Sequence, residues 1–256
     1  MFVVPFVCCL ASPVDVEVWV MRNFAQGFVP PFSFTYNGRH SSQLLPKWKF
    51  THEGSKLDDV STLQIFTWND PETKLEVNCE CTLFSDFPVI EWVLKFNFPQ
   101  GAGEKSPLLE DVKALDLKFI GETDKGFILH RSLGSNAQRN DFAPVHEELS
   151  PQKEIKLAPI GGRSSNTTSL PFFNIEAVSK GGVIVAIGWS GQWAASFTHE
   201  GDGIRICAGM GLTRLRLYSG EQIRTPRILL LFFWAQRRFS RWTKSIPQVY
   251  TCPSFP

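Results

Sequence analysis

The chain has 256 residues, of which 43% are hydrophobic and 20% are charged. This composition supports a folded core and excludes a chain that is disordered throughout. Lysines and arginines number 26 against 25 acidic residues, so the formal net charge at pH 7 is only +1. Nucleic acids and acidic membranes are bound by concentrated basic surfaces. The charge balance therefore favours neither partner.

The first thirteen residues, MFVVPFVCCLASP, are apolar and end in small residues, as the apolar region of a signal peptide does. However, no basic segment precedes them, and Pro5 interrupts them. We interpret them as an apolar N-terminal arm or strand. Cytoplasmic and secreted locations both stay open.

Apolar and polar residues alternate along much of the chain, which predicts β-strands. Residues 14–20, VDVEVWV, are the first such segment. Turn-forming residues, among them Asn69-Asp70-Pro71, separate the segments that follow. The further predicted strands lie within residues 61–68, 75–84, 89–98, 111–120, 169–178, 181–189, 193–199, 203–209, 213–220 and 224–234. Strands this closely spaced predict an all-β fold, a large antiparallel β-sandwich.

The six cysteines contain no CxxC pair, and the five histidines are scattered, so the sequence predicts no metal site. Cys79 and Cys81 flank Glu80 in an alternating segment and are expected to face the same side of a strand. We interpret both as small buried hydrophobic residues.

Common catalytic and nucleotide-binding motifs are absent from the sequence. GDGIRI and GMGLTR lack the third glycine of a dinucleotide-binding loop, and no P-loop, GxSxG or HExxH occurs. No cofactor is expected. Acidic residues lie side by side at 58–59, 110–111 and 147–148, with Asp116 near the second pair. Adjacent acidic residues usually form a solvated turn, so no catalytic pair is predicted among them.

A candidate binding surface comes from two segments. The first, GGRSSNTTSLPFFNIE, supplies hydrogen-bonding side chains suited to a polyhydroxylated ligand. The second, GWSGQW, sets Trp189 and Trp193 among glycines, and indole rings can stack on the apolar face of a sugar. Alternatively, the polar segment is a loop that covers the end of the sandwich, and both tryptophans pack between the sheets. This interpretation requires no ligand. The candidate residues are Arg163, Ser164, Ser165, Asn166, Trp189 and Trp193.

Several longer stretches, taken in order, resemble the N-terminal β-supersandwich domain of the α-galactosidase (melibiase) family of glycoside hydrolases. Each stretch alone is a weak signal, whereas their number and order make the resemblance fairly specific. They are PFSFTYNGRHSSQLLPKW (31–48), DFPVIEWVLKFNF (86–98), LLEDVKALDLKF (108–119), LHRSLGS (129–135), DFAPVHEEL (141–149), APIGGRSSNTTSLPFFNIE (158–176), GGVIVAIGWSGQWAASF (181–197) and RLRLYSGEQIRTPRILLLFFW (214–234).

The resemblance implies three regions: residues 1–30, which match poorly, a supersandwich domain over 31–234, and an atypical, irregular tail over 235–256. In this family a (β/α)₈ barrel follows the sandwich and carries two catalytic aspartates, and neither aspartate motif occurs in this chain. The chain alone is therefore expected to be inactive and to be a fragment or the product of a truncated gene.

By the same resemblance, the expected partners are α-galactoside sugars of the melibiose and raffinose type, the missing barrel, and further copies of the chain in a homo-oligomer. The six candidate residues would face the sugar or the barrel. A stand-alone carbohydrate-binding module and a nonfunctional remnant are the alternatives.

Overall fold

The computed structural model describes residues 12–121, 125–166 and 168–234, and these form a two-layer antiparallel β-sandwich. The predicted all-β sandwich is confirmed, and the described residues contain no (β/α)₈ barrel. Residues 1–11 of the predicted N-terminal arm and the tail over 235–256 lie outside the described residues.

The described chain contains two short α-helices, one 3₁₀ turn and seventeen strands. The helices are α1 (Pro13–Asn23) and α2 (Ser41–Leu44), and the 3₁₀ turn spans Leu45–Lys47. The strands are β1 (Ser33–Tyr36), β2 (Arg39–His40), β3 (Lys49–Lys56), β4 (Ser61–Asn69), β5 (Glu76–Phe84), β6 (Val89–Asn97), β7 (Leu109–Ile120), β8 (Phe127–Ser132), β9 (Pro144–Glu148), β10 (Glu154–Leu157), β11 (Phe172–Ala177), β12 (Gly181–Gly188), β13 (Trp193–Glu200), β14 (Gly203–Met210), β15 (Arg214–Leu215), β16 (Gln222–Arg224) and β17 (Arg227–Trp234).

The strands form one large and one smaller sheet. The ten-stranded sheet has the order β3-β4-β5-β6-β17-β12-β11-β8-β9, with β16 beside β6. The seven-stranded sheet has the order β10-β13-β14-β7-β1-β2, with β15 beside β7. Every pair of neighbouring strands is antiparallel.

The core lies between the two sheets and is rich in aromatic side chains. Trp92 is fully buried on β6, and its indole Nε1 donates a 2.8 Å hydrogen bond to the Ala114 carbonyl on β7. This bond ties the ten-stranded sheet to the seven-stranded one. Cys79 and Cys81 are both buried on β5, as their alternation predicts, and burial raises the pKa of the Cys79 thiol.

The prediction of a strand over residues 14–20 is wrong, because this segment forms α1. Ser12 caps the helix in a reciprocal hydrogen-bonding arrangement with Asp15, and Pro13 occupies the first turn. The buried residues Val16, Trp19, Val20 and Asn23 have helical spacing. Valines at every second position fit a strand, but Val16 and Val20, four residues apart, also fit one face of a helix. The cap at Ser12 favours the helix.

The helix packs into the sandwich core. Trp19 contacts Phe232 on the ten-stranded sheet, and Phe24, just after the helix, stacks on Phe66 with 5.1 Å between ring centroids.

The predicted strand over 111–120 is confirmed by β7. No helix among the described residues is long and apolar enough to cross a membrane.

Candidate functional site

The candidate polar loop and tryptophan turn lie together at one end of the sandwich. Strand β12 of the ten-stranded sheet ends at Gly188, and β13 of the seven-stranded sheet begins at Trp193. Residues 189–192 therefore carry the chain from one sheet to the other. Trp189 and Trp193 therefore do not lie on one continuous strand.

Trp193 is a core residue. Its side chain is 0% exposed and packs edge-to-face on Phe173, with 5.6 Å between ring centroids. Its indole Nε1 donates a 2.7 Å hydrogen bond to the Ser164 carbonyl. With no exposed face, this ring cannot stack on a sugar or on another domain. The packing alternative is therefore correct for Trp193, whose bond to Ser164 fixes the candidate loop.

Trp189 is only half-buried and lies at the edge of the core. The Arg224 guanidinium lies 5.4 Å from its ring centroid, within the range of a cation–π interaction. A Cβ at Gly191 would be 2.9 Å from the indole Nε1 of Trp189. The glycine beside the tryptophan therefore permits close approach of the turn to the indole.

Gln192 and Asn166 hold the polar loop in place through their side chains. The Gln192 Nε2 donates to the Pro159 carbonyl at 2.5 Å, and its Oε1 accepts from the Gly162 amide at 3.1 Å. The Asn166 Oδ1 accepts from the Ile160 amide at 2.7 Å. Asn166 thus stabilises its own loop, while Arg163 is exposed. Ser164 and Ser165 are half-buried.

A neighbouring loop, residues 133–143, supports the polar loop. The Ser135 amide donates to the Ser165 carbonyl at 3.0 Å. A Cβ at Gly134 would be 2.6 Å from the Asn166 backbone, so a glycine is needed at this approach. Within the supporting loop, hydrogen bonds to Asp141 from the Asn136 amide and the Ser135 hydroxyl lower the pKa of its carboxyl group.

Two of the carboxylates considered in the sequence, Asp116 and Glu110, form ion pairs with arginines. Asp116 accepts two hydrogen bonds from Arg205, at 3.0 and 3.1 Å, and one from the Ser33 hydroxyl at 2.7 Å. Burial alone would raise the pKa of Asp116, but these hydrogen bonds hold it below its ordinary value. Glu110 pairs similarly with Arg214 at 3.0 Å.

Sequence reasoning missed a cluster formed by His130 on β8, His146 on β9 and Glu176 on β11. The two histidine Nδ1 atoms lie 2.7 Å apart, and the His130 Nε2 lies 2.8 Å from a Glu176 oxygen. The three side chains are far apart in the sequence, and only the strand pairing brings them together. Among the described residues, no group of three or more His, Cys, Asp or Glu is arranged to hold a metal ion.

Solved glycoside hydrolases share this fold. The GH36 α-galactosidase AgaA from Geobacillus stearothermophilus is 16% identical, with a TM-score of 0.57, and the match covers 80% of this chain and 30% of that one. The α-galactosidase from Lactobacillus brevis is 18% identical, with the same TM-score and coverage of 80% and 29%. The α-N-acetylgalactosaminidase NagBb from Bifidobacterium bifidum is 12% identical, with a TM-score of 0.51 and coverage of 81% and 31%.

These comparisons establish the class of the domain: a β-sandwich of the type present in GH36 α-galactosidases. The resemblance seen in the sequence motifs is thereby confirmed at the level of the fold. This chain spans only about 30% of the length of the enzymes that it matches. No protein-family model matches the sequence. No curated protein matches it either.

Proposed function

We propose that this chain is a non-catalytic domain of an α-galactosidase-like glycoside hydrolase that acts on α-galactosides of the melibiose and raffinose type. Its role would be to support a (β/α)₈ barrel and the rim of the active site. The observation that carries this proposal is the match of 80% of this chain to only 30% of the Geobacillus α-galactosidase. One structure of that enzyme contains raffinose and another contains stachyose.

The contacts of the candidate loop support a structural role at the rim. The Ser164 carbonyl, both polar atoms of the Gln192 amide and the Asn166 Oδ1 are all engaged within this end of the sandwich. Arg163 is the exposed charged side chain of this hydrogen-bonded loop. We therefore assign Arg163 and the half-buried Trp189 as the residues that face the barrel or the sugar.

A direct test is to assay the purified chain for galactose release from melibiose and raffinose. The proposal predicts no hydrolysis, because catalysis would reside in carboxylates outside this chain. Hydrolysis that copurifies with the chain through two different chromatographic steps would contradict the non-catalytic assignment.

A stand-alone carbohydrate-binding module is the second candidate, and the incomplete burial of Trp189 favours it. Titration calorimetry with raffinose distinguishes the two. The module predicts binding that Trp189→Ala abolishes. Trp234→Ala is the matched control, because this exposed tryptophan lies at the other end of the β12–β17 pair. The absence of raffinose binding by the folded chain would exclude the module.

A further inference from the structure

Two histidines face each other across the pair of strands β8 and β9. His130 and His146 are directly opposite in the antiparallel register, and side chains at such positions have Cβ atoms about 4.5–5.5 Å apart. Their Nδ1 atoms lie 2.7 Å apart, while their ring centroids lie 4.9 Å apart. The two Nδ1 atoms are therefore on the sides of the rings that face each other. We call these two residues the histidine pair.

Glu176 determines which nitrogens of the histidine pair carry protons. Its carboxylate lies 2.8 Å from Nε2 of His130, and an ionised carboxylate only accepts hydrogen bonds. The Nε2 of His130 therefore carries a proton, and the Nδ1 of the neutral ring carries a lone pair. His146 then donates through its own Nδ1, so one proton lies between the two Nδ1 atoms.

The contact between Glu176 and His130 is the kind that orients a metal ligand. A histidine that binds a metal ion usually donates its other ring N–H to a carboxylate or a carbonyl, which fixes the tautomer and raises the basicity of the ligating nitrogen. His130 has this arrangement, and its side chain and that of Glu176 are only 28% and 31% exposed. Its ligating nitrogen would be Nδ1, which faces the second imidazole.

The charges around the histidine pair favour a cation. Among the described residues, the positions of β8, β9 and β11 on this side of the sheet carry two carboxylates, Glu148 and Glu176, and no lysine or arginine. Arg131 follows His130 and lies on the opposite side of β8, where it bonds Glu147. The nearest arginine in the sequence is therefore neutralised on the other side of the sheet.

We propose that His130 and His146 form a two-histidine site for a divalent transition-metal ion such as Zn²⁺, with Glu176 as the residue that positions His130. Imidazole is a ligand suited to zinc, copper and nickel. Tetrahedral zinc with Zn–N distances of about 2.0–2.1 Å would place the two Nδ1 atoms about 3.3 Å apart, so they need to separate by only about 0.6 Å.

The proton between the two rings leaves its position when the metal ion binds. The Nδ1 proton of His146 moves through solvent to Nε2 of the same ring, which is exposed, so each neutral imidazole offers one lone pair to the ion. Water occupies the remaining coordination positions. A site with two protein ligands and water is open, unlike the closed four-ligand sites that hold structural zinc.

A metal ion at the histidine pair would hold the base of the supporting loop. Strand β8 ends at Ser132 and β9 begins at Pro144, so residues 133–143 connect the two strands that the ion joins. Strand β9 is the last strand of its sheet. The ion would thus fasten an edge strand to its neighbour. The inference does not depend on the proposed function.

The test is a titration of the whole, isotope-labelled chain with ZnCl₂, followed by NMR of the imidazole nitrogens of its five histidines. The Nδ1 resonances of His130 and His146 should shift together and saturate. His146→Asn should remove the saturating shift of His130, because one of the two ligands is lost. His52→Asn is the matched control, since His52 is an exposed histidine on β3 of the same sheet. It should leave Zn²⁺ binding unchanged.

Glu176→Gln tests the positioning of His130. Glutamine keeps an acceptor for Nε2 but loses the negative charge, so Zn²⁺ affinity should fall roughly tenfold. Glu80→Gln is the matched control, because Glu80 is 32% exposed and pairs with Lys95 on the same sheet. It should leave Zn²⁺ affinity unchanged. Equal losses in the two variants would refute the positioning role.

Three results would overturn the site itself. The first is the absence of a saturating shift at the histidine pair. The second is coordination through Nε2 of either ring. The third is unchanged Zn²⁺ affinity at His130 in the His146→Asn variant, with its folding verified by circular dichroism. Zinc bound by cysteines elsewhere in the chain would shift neither Nδ1 atom and would count against the proposal.

Discussion

Replacing Trp193 with phenylalanine tests whether this residue anchors the candidate loop. The variant keeps an aromatic ring but loses the 2.7 Å hydrogen bond from Nε1 to the Ser164 carbonyl. A buried carbonyl left without its donor costs about 1–3 kcal/mol. The smaller ring also leaves about 40 Å³ unfilled, which adds about 1 kcal/mol at 24 cal/mol per Å³. We expect a loss of about 2–4 kcal/mol in the free energy of unfolding.

Urea denaturation followed by far-UV circular dichroism measures this loss without relying on tryptophan fluorescence. Trp189→Phe is the matched control, since Trp189 is half-buried and, among the described residues, the hydrogen bond from an indole to the candidate loop comes from Trp193. It should cost less than about 1 kcal/mol. Hydrogen exchange of the amides in residues 158–166 should accelerate only in Trp193→Phe. Equal destabilisation by both variants, or unchanged exchange in the loop, would refute the anchoring role.

Three further predictions, which use five substitutions, test other parts of the structure. Asp116→Asn should destabilise the chain by about 1–2 kcal/mol at pH 7. Because the pKa of Asp116 is lowered in the folded state, its contribution is present above the ordinary aspartate value of about 3.9 and is lost as the pH falls through the folded-state pKa. The urea midpoints of wild type and variant should therefore converge in acid, and a constant difference would contradict the argument. Ser12→Ala should cost about 1 kcal/mol by removing the cap of α1, whereas Ser12→Gly should cost only a few tenths, as measured by urea denaturation. Gly203→Ala should lower the free energy of unfolding by about 1–3 kcal/mol, as overpacking typically does. The reason is that the new Cβ would lie 2.3 Å from the Phe119 carbonyl oxygen. Gly54→Ala meets only the flexible end of Gln64 and should shift the thermal midpoint less, so equal shifts would refute the steric account.

The sequence predicted the central strands well and the edges poorly. Strands β1, β2 and β8 were not predicted, and each lies at the edge of its sheet or next to an edge strand. Strands β3, β9 and β10 were not predicted either, and each lies at the edge of its sheet. Their segments, KFTHEGSK, PVHEE and EIKL, are short or charged, as edge strands commonly are. A half-exposed edge strand therefore lacks the apolar alternation on which the prediction depends.

The candidate site shows a second limit of sequence reasoning. Residue type alone identified Arg163 and Trp189 as candidates. The sequence could not show that the Trp189 ring is partly exposed while the Trp193 ring is buried. Burial of Trp193 depends on β12 and β13 belonging to different sheets, which places the turn over the end of the core. The continuous apolar run ILLLFFW shows the same limit, because only the strand pairing shows which side of the sheet each of its residues faces.

The most direct measurement for the account as a whole is the sequence of the DNA that follows the codon for Pro256, read in all three frames. The account predicts sequence that encodes a (β/α)₈ barrel with two catalytic aspartates. The absence of any barrel-encoding sequence would contradict the assignment of this chain as a domain of an α-galactosidase-like enzyme.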